Sequence, residues 1–334
     1  MKALAIISKG RLGLIEIPVP DIGEYDALCK MEACAYCNST DHKLVENEFY
    51  ASDIYPSVFG HEVISTVVKV GDKVKNYKVG DRVFRQVLTD AMVPGGRSNW
   101  GGFSEYGVVT DQWAQQGVEP DPKRYPFPQQ KLLIDVPAPE ATAMITLMEC
   151  LDCVMQSMQQ GRATASPPSR PSVAIIGSGP VAQSMAMFAA LLGADKVVAV
   201  GRREIHRERF AKVCKGVDYV TSTEGIGAFD IVFEAVGSAE ALATAMDIVT
   251  ADGSVNIYGI AAASTPHPAT LLADSRVKNV GATEGRVQQE LADYIRKGDV
   301  RLADWYDTVL PMSDYQKSYD LVRHGNAYKV VLLP

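Results

Sequence analysis

The chain has 334 residues and a formal net charge of −7, with 47% hydrophobic and 22% charged residues. That length suits two domains of ordinary size, and that composition suits a soluble globular protein. The acidic balance, with basic residues dispersed and no Lys/Arg-rich tract, gives no electrostatic basis for a nucleic-acid or membrane partner. Met1 to Ile7 runs straight into Ser8-Lys9-Gly10-Arg11, so no signal peptide is expected. The longest apolar stretch, Ala141 to Met158, contains Glu149 and Asp152 and reads as a buried helix. Six cysteines in a chain this long do not make a disulfide scaffold, which points to a reduced, cytoplasmic protein.

In chain order, the first third is β-rich. Short apolar runs at Ala3 to Ile7, Val63 to Val70, Arg82 to Phe84 and Tyr106 to Val109 alternate with Gly, Pro and Asp turns. Residues 114 to 131, rich in Gln and Pro, read as a surface excursion belonging to a longer insertion at 111 to 131. Ala141 to Gln160 has a helical pattern, and Arg162 to Pro171 is a Ser/Pro/Arg linker. Beyond it, predicted strands at Val173–Ile176, Lys196–Val200, Asp218–Val220, Asp230–Glu234, Ser254–Tyr258 and Val277–Ala282 alternate with helical segments. That alternation argues for an α/β fold with a doubly wound parallel sheet. From Val287 the pattern is mixed, and Lys329 to Pro334 reads as a final strand.

The first chemical signal is Gly177-Ser178-Gly179-Pro180-Val181-Ala182, between an apolar β run and a helix with apolar residues at Val181, Met185, Phe188 and Leu192. Gly177 allows a tight turn, Gly179 leaves room for a pyrophosphate, and Ala182 is small where helix and strand pack. The helix start offers free N–H groups and a positive dipole end to phosphates. The next predicted strand ends at Gly201-Arg202-Arg203. An NAD site would place an acidic residue there to hold the ribose 2′-hydroxyl. Arginines instead supply bidentate partners for a 2′-phosphate, so NADP(H) is expected over NAD(H).

The second signal is Cys37-Asn38-Ser39-Thr40-Asp41-His42, followed by Gly60-His61-Glu62. Thiolate, imidazole and carboxylate form the ligand set of a catalytic zinc that keeps one position open. A competing arrangement joins Cys34, Cys37, Cys150 and Cys153 in a structural four-cysteine site, although Cys34 and Cys37 lack the glycine turn of a zinc knuckle.

At Cys37 to His42, Gly60-His61-Glu62 and the Gly177 loop, the chain resembles the zinc-dependent medium-chain dehydrogenase/reductase family, which includes alcohol and polyol dehydrogenases. Val79 to Val83, Gly102 to Tyr106 and Asp230 to Gly237 extend the resemblance essentially end to end. It implies a GroES-like catalytic domain from 1–145 and 287–334 and a Rossmann domain from 146–286. It makes Cys37 and His61 zinc ligands and Glu62 an acidic residue that can join or leave the metal. Ser39 takes the alcohol proton, and His42 passes it towards solvent. The third ligand falls near 149, with Glu149 matching the polyol-dehydrogenase branch and Cys150 as the competitor. Residues 84 to 101 contain no cysteine, so the structural zinc found in many members is absent and a single catalytic zinc is expected. A homodimer or homotetramer is implied by the resemblance alone.

The expected reaction transfers a hydride between NADP(H) and an alcohol or ketone. Glu284 and Arg286 follow the last predicted Rossmann strand, where the family lines its substrate pocket. Their charges suggest a polyol, amino-polyol, sugar or cyclitol. Two other readings are a zinc-free quinone- or enoyl-type reductase and a non-catalytic dinucleotide-binding sensor. Both would dispense with Cys37, His61 and Glu62.

Overall fold

Runs of Val, Ile and Ala without charge favour strands buried on both faces, and alternating runs favour strands with one wet face. The chain uses each kind in a different place. The structure, a computed structural model, describes residues 1–49, 53–121, 129–164, 170–279 and 284–334, without the side chains of 161–164 and 284. It divides into two units, Met1–Met148 with Thr283–Pro334, and Glu149–Ala282.

The second unit carries the uncharged runs. Ser172–Ile176, Lys196–Val200, Asp218–Val220, Phe229–Glu234, Val249–Ile257 and Val277–Asn279 form one sheet. All its pairings are parallel, and its order places the first strand between the second and fourth. This is the doubly wound Rossmann arrangement, in which ligands bind outside the carboxyl ends of the strands where the order reverses. Helices Pro180–Leu191 and Ala239–Ile248 follow the first and fourth strands. Ile176, Val200, Val232, Leu242 and Val255 share a buried core. The first four strands lie within one residue of their expected bounds. The fifth begins earlier, at Val249, and the part of the sixth expected at 280–282 lies outside the described residues.

The first unit is built on the ten-residue strand Asp26–Ala35, which the sequence reading did not single out. It pairs antiparallel with Glu62–Val70, Tyr106–Thr110 and Val330–Leu333. A second sheet joins Lys2–Ser8 to Arg11–Glu16 and Ser57–Val58. Leu4, Met31, Tyr36, Phe59, Phe103 and Leu332 fill the space beside these strands, with Tyr36 and Phe103 ring centroids 4.8 Å apart. Burying such rings is worth roughly 2–3 kcal/mol each.

Two expected loops differ in part. The helix forecast at 141–160 extends from Ala138 to Thr164, so the linker begins later, and 165–169 lie outside the described residues. The excursion at 114–131 is not all surface. Gln129 is buried, its amide bonded to Arg85 O and Val108 O and its Oε1 accepting the Thr110 N–H at 3.1 Å. An amide can enter a core when the sheet backbone satisfies both its donor and its acceptor. Residues 122–128 lie outside the described residues.

Candidate active site

Strand Asp26–Ala35 delivers the chain to Cys37, and a short helix, Thr40–Val45, turns it back with Ser39 at its N-cap. His61 and Glu62 sit at the start of strand Glu62–Val70. The antiparallel register sets Ala35 opposite Glu62, so the segments carrying Cys37 and His61-Glu62 meet at one end of the sheet. As a result Cys37, His61 and Glu62 hold one ligand atom each within 4.8 Å of one another. No other such group of three occurs among the described residues.

Asp41 organises this cluster. It is fully buried, its Oδ2 accepts the Cys37 N–H at 2.9 Å, and its Oδ1 lies 3.4 Å from His61 Nδ1. Facing Nδ1 towards a carboxylate leaves Nε2 as the ring's donor to a metal, the usual outer support of a histidine ligand. Burial works against the charged imidazole, yet Asp41 and Cys37 together raise the His61 pKa well above its ordinary value.

Glu62 has its own partners. Lys329 Nζ donates to Oε2, and Thr146 Oγ1 donates to Oε1 at 3.1 Å. Lys329 is itself buried, and although burial disfavours its charge, Glu62 and then Cys37 raise its pKa. Trp100, with φ 68 in the left-handed region, places its ring centroid 4.9 Å from that of His61. Non-glycine residues held there cost about 1–3 kcal/mol and cluster at functional sites.

Beside Cys37, Ser39 Oγ accepts from Lys43 Nζ at 2.7 Å. His42 Nδ1 lies 3.2 Å from Tyr319 Oη, which donates to Glu46 Oε1 at 3.0 Å. Burial, the largest influence, lowers the His42 pKa.

In the second unit, a cavity of about 830 Å³ opens where the Rossmann strand order reverses. Gly177, Gly179, Gly201, Arg202 and Arg203 line it, as do Thr221, Ser222 and Thr223, which the sequence reading did not select. Pro180 and Val181 open the helix above it, with Gly179 as its N-cap. A Cβ on Gly179 would meet nothing within 4 Å, the cradle a pyrophosphate requires. Gly201 has a different cause: a Cβ there would fall 2.2 Å from Tyr219 Oη. The glycine admits a tyrosine, and that tyrosine donates to Arg203 O at 2.7 Å.

Glu149 is also in this unit, with its Oε2 accepting from Tyr258 Oη at 2.8 Å. Cys150 is fully buried, its thiol 3.8 Å from Val181 O. Arg286 is exposed in the turn Glu284–Arg286 of the first unit, while the Glu284 side chain lies outside the described residues. Arg286 lines a mainly apolar hollow of about 290 Å³ with Tyr77, Trp113 and Leu133, and neither Cys37 nor His61 lines it. The supporting residues Asp41, Thr146, Tyr319 and Lys329 were not picked out from sequence. Only Asp41, inside the Cys37–His42 motif, carried a local signal.

The alcohol dehydrogenase GroES-like domain profile matches residues 23–118. The NADP-dependent isopropanol dehydrogenase of Thermoanaerobacter brockii is 30% identical over 293 residues, covering 78% of this chain and 76% of the relative. D-arabinitol dehydrogenase 1 of Uromyces fabae is 25% identical over 367 residues, covering 100% and 97%. Among solved structures, the alcohol dehydrogenase TADH of Thermus sp. ATN1 superposes with a TM-score of 0.78 at 22% identity, covering 100% and 99%. No described helix is long and apolar enough to cross a membrane. With the ligand cluster and the Rossmann cavity in hand, these likenesses show that the chain belongs to the zinc-dependent medium-chain dehydrogenase/reductase family.

Proposed function

We propose that this NAD(P)-dependent dehydrogenase, acting on CH–OH donors, oxidises a polyol or related polyhydroxylated alcohol reversibly with NADP(H). The observation that carries the chemistry is the convergence of Cys37, His61 and Glu62 within 4.8 Å, backed by buried Asp41. Sulfur, nitrogen and oxygen donors in that cluster fit a zinc ion held by Cys37 and His61. Glu149 is proposed as the third protein ligand, because the Cys150 thiol is turned to a helix carbonyl. Glu62, already shared between Lys329 and Thr146, is the residue that joins or leaves the metal.

A bound zinc would supply polarisation of the alcohol oxygen, and a bound nicotinamide would supply the hydride acceptor. The chain's own residues orient the reactants and move the proton. Ser39 takes the hydroxyl proton, with the Lys43 ammonium donating to its oxygen at 2.7 Å. His42 carries the proton towards solvent through Nε2. The Gly177–Pro180 turn would hold the phosphates of the cofactor, and Arg202 and Arg203 would hold its 2′-phosphate. The NADP dependence named for the 30% identical relative supports this preference, and the arabinitol relative supports a polyol. Arg286, with Glu284, remains the proposed polar contact for substrate.

The test is metal analysis together with a panel of polyols, amino-polyols and simple alcohols, each assayed with NADP and NAD. About one zinc per chain and highest kcat/KM for a polyol with NADP are expected. A zinc-free active enzyme would overturn the metal assignment, and a strong preference for simple alcohols would overturn the substrate class.

A further inference from the structure

His42 is held by partners from a distant part of the chain. Helix Tyr315–Arg323, far along the chain, sets Tyr319 against the short helix that carries His42. Tyr319 is almost wholly buried, its ring centroid 6.2 Å from that of His42 and 6.4 Å from that of Tyr36, so its hydroxyl has little freedom. That hydroxyl has one proton, and it points at Glu46 Oε1, 3.0 Å away. Its oxygen can therefore meet His42 Nδ1 only as an acceptor, at 3.2 Å. The geometry thus dictates which ring nitrogen carries the hydrogen: Nδ1 holds it and Nε2 keeps its lone pair.

We propose that Tyr319 and Glu46 are positioning residues that lock His42 into the Nδ1–H tautomer, leaving Nε2 as the proton-accepting atom. This rests on the role given to His42 above and extends it. Nε2 accepts one proton to give the imidazolium, and the same proton later leaves Nε2 to water. Nδ1 keeps its hydrogen throughout, so no bond at Tyr319 or Glu46 is made or broken. The Glu46 carboxylate acts through the phenol, favouring the charged ring without touching it, as a third group orients a base in a catalytic triad. The charged groups facing His42 are Glu46 and Glu48 on one side of the balance, and Lys43 and Arg323 on the other. Arg323 Nε lies 3.7 Å from Glu46 Oε1, an ion pair that holds that carboxylate in place.

The test uses the zinc-loaded enzyme and three variants, Tyr319→Phe, Glu46→Gln and His42→Asn. The readouts are the nitrogen chemical shifts of the His42 ring and the pH profile of kcat/KM. Tyr319→Phe removes the acceptor and should move the ring towards the Nε2–H tautomer. It should also lower kcat/KM by about 10-fold or more, part of the 10²–10⁴ that a positioned base contributes. Glu46→Gln keeps an acceptor oxygen but loses the charge, so the tautomer should persist while the His42 limb of the profile moves to lower pH. Unchanged ring shifts and kcat/KM in Tyr319→Phe, with His42→Asn impaired, would overturn the positioning role and leave His42 as the base. Full activity in His42→Asn would overturn the role of His42 and this inference with it. Thermal melting of each variant separates loss of fold from loss of tautomer control.

Discussion

The Lys329 ammonium and the Glu62 carboxylate form a buried ion pair between residues 267 positions apart in sequence, each side chain only 4% exposed. Thr146 Oγ1 bridges them, donating to Glu62 and accepting from Lys329 at 3.3 Å. The pair ties the start of the last strand, Val330–Leu333, to the edge of the sheet where Glu62 begins its strand. It also places a positive charge beside both Cys37 and Glu62.

Lys329→Met should therefore destabilise the protein by about 3–5 kcal/mol, because Glu62 is left buried without a cation. Adding Glu62→Gln removes the stranded charge and should recover a clear part of that loss. Urea unfolding of the single and double variants measures both. A double variant no more stable than Lys329→Met would show that the lost charge pairing is not the cause.

Asp41 contacts both proposed zinc ligands at once, through the Cys37 N–H and at 3.4 Å from His61 Nδ1. Asp41→Asn keeps the shape but replaces one carboxylate oxygen with an N–H₂ donor, so one of the two supports must fail. Zinc affinity should drop about 10–100-fold, the usual cost of losing an outer-shell partner. Competition with a chromogenic chelator gives the affinity directly, and an unchanged value would deny Asp41 this role.

The contrast between these residues and the motifs explains what could be read from sequence. The Rossmann strands announced themselves because Val173-Ala174-Ile175-Ile176 and Val197-Val198-Ala199-Val200 are short, uncharged and buried on both faces. Cys37, His61 and the Gly177 turn were legible because their chemistry is rare and locally spaced. Lys329 was not, since its meaning lies in a partner on another strand. Tyr319 and Thr146 were hidden for the same reason: a helical Tyr or Thr has many uses until its neighbour is known. Strand Asp26–Ala35 was obscured by Asp26, Lys30 and Glu32, whose side chains face outward from an otherwise apolar run. Gly201 was legible as a glycine, but its cause, the ring of Tyr219, is a tertiary contact.

The lowered pKa of His42 sets a pH dependence with a definite sign. Burial holds it below the ordinary 6.5, so the neutral ring persists as pH falls through 6.5 and is lost only at lower pH. The stability it contributes is complete above 6.5 and declines as pH falls through the lowered folded-state value. Alcohol oxidation should follow the same course, with kcat/KM flat near neutrality and falling in the acid range as Nε2 becomes protonated. His42→Asn should remove that acid limb. If the limb survives the substitution, another group governs it.

Cofactor choice gives the last prediction, and Tyr219 makes it unusual. Arg202→Gln with Arg203→Gln should raise KM for NADP by at least about 10–100-fold, since losing even one charge-assisted contact costs roughly 1.5–3 kcal/mol, and leave KM for NAD nearly unchanged. The usual way to invert the preference, an acidic residue at the strand end, should fail here. A Cβ at 201 would lie 2.2 Å from Tyr219 Oη and 2.8 Å from two ring carbons, so Gly201→Asp must displace that ring. The displaced ring releases Arg203 O, which Tyr219 holds at 2.7 Å, and the local packing costs about 1–3 kcal/mol. Gly201→Asp alone should thus lose NADP binding without gaining NAD. Gly201→Asp with Tyr219→Val makes space for the carboxylate, and it should restore thermal stability and bring NAD into use. Isothermal titration of both nucleotides against the two variants distinguishes these outcomes, and strong NAD binding by Gly201→Asp alone would show that Tyr219 does not guard the position.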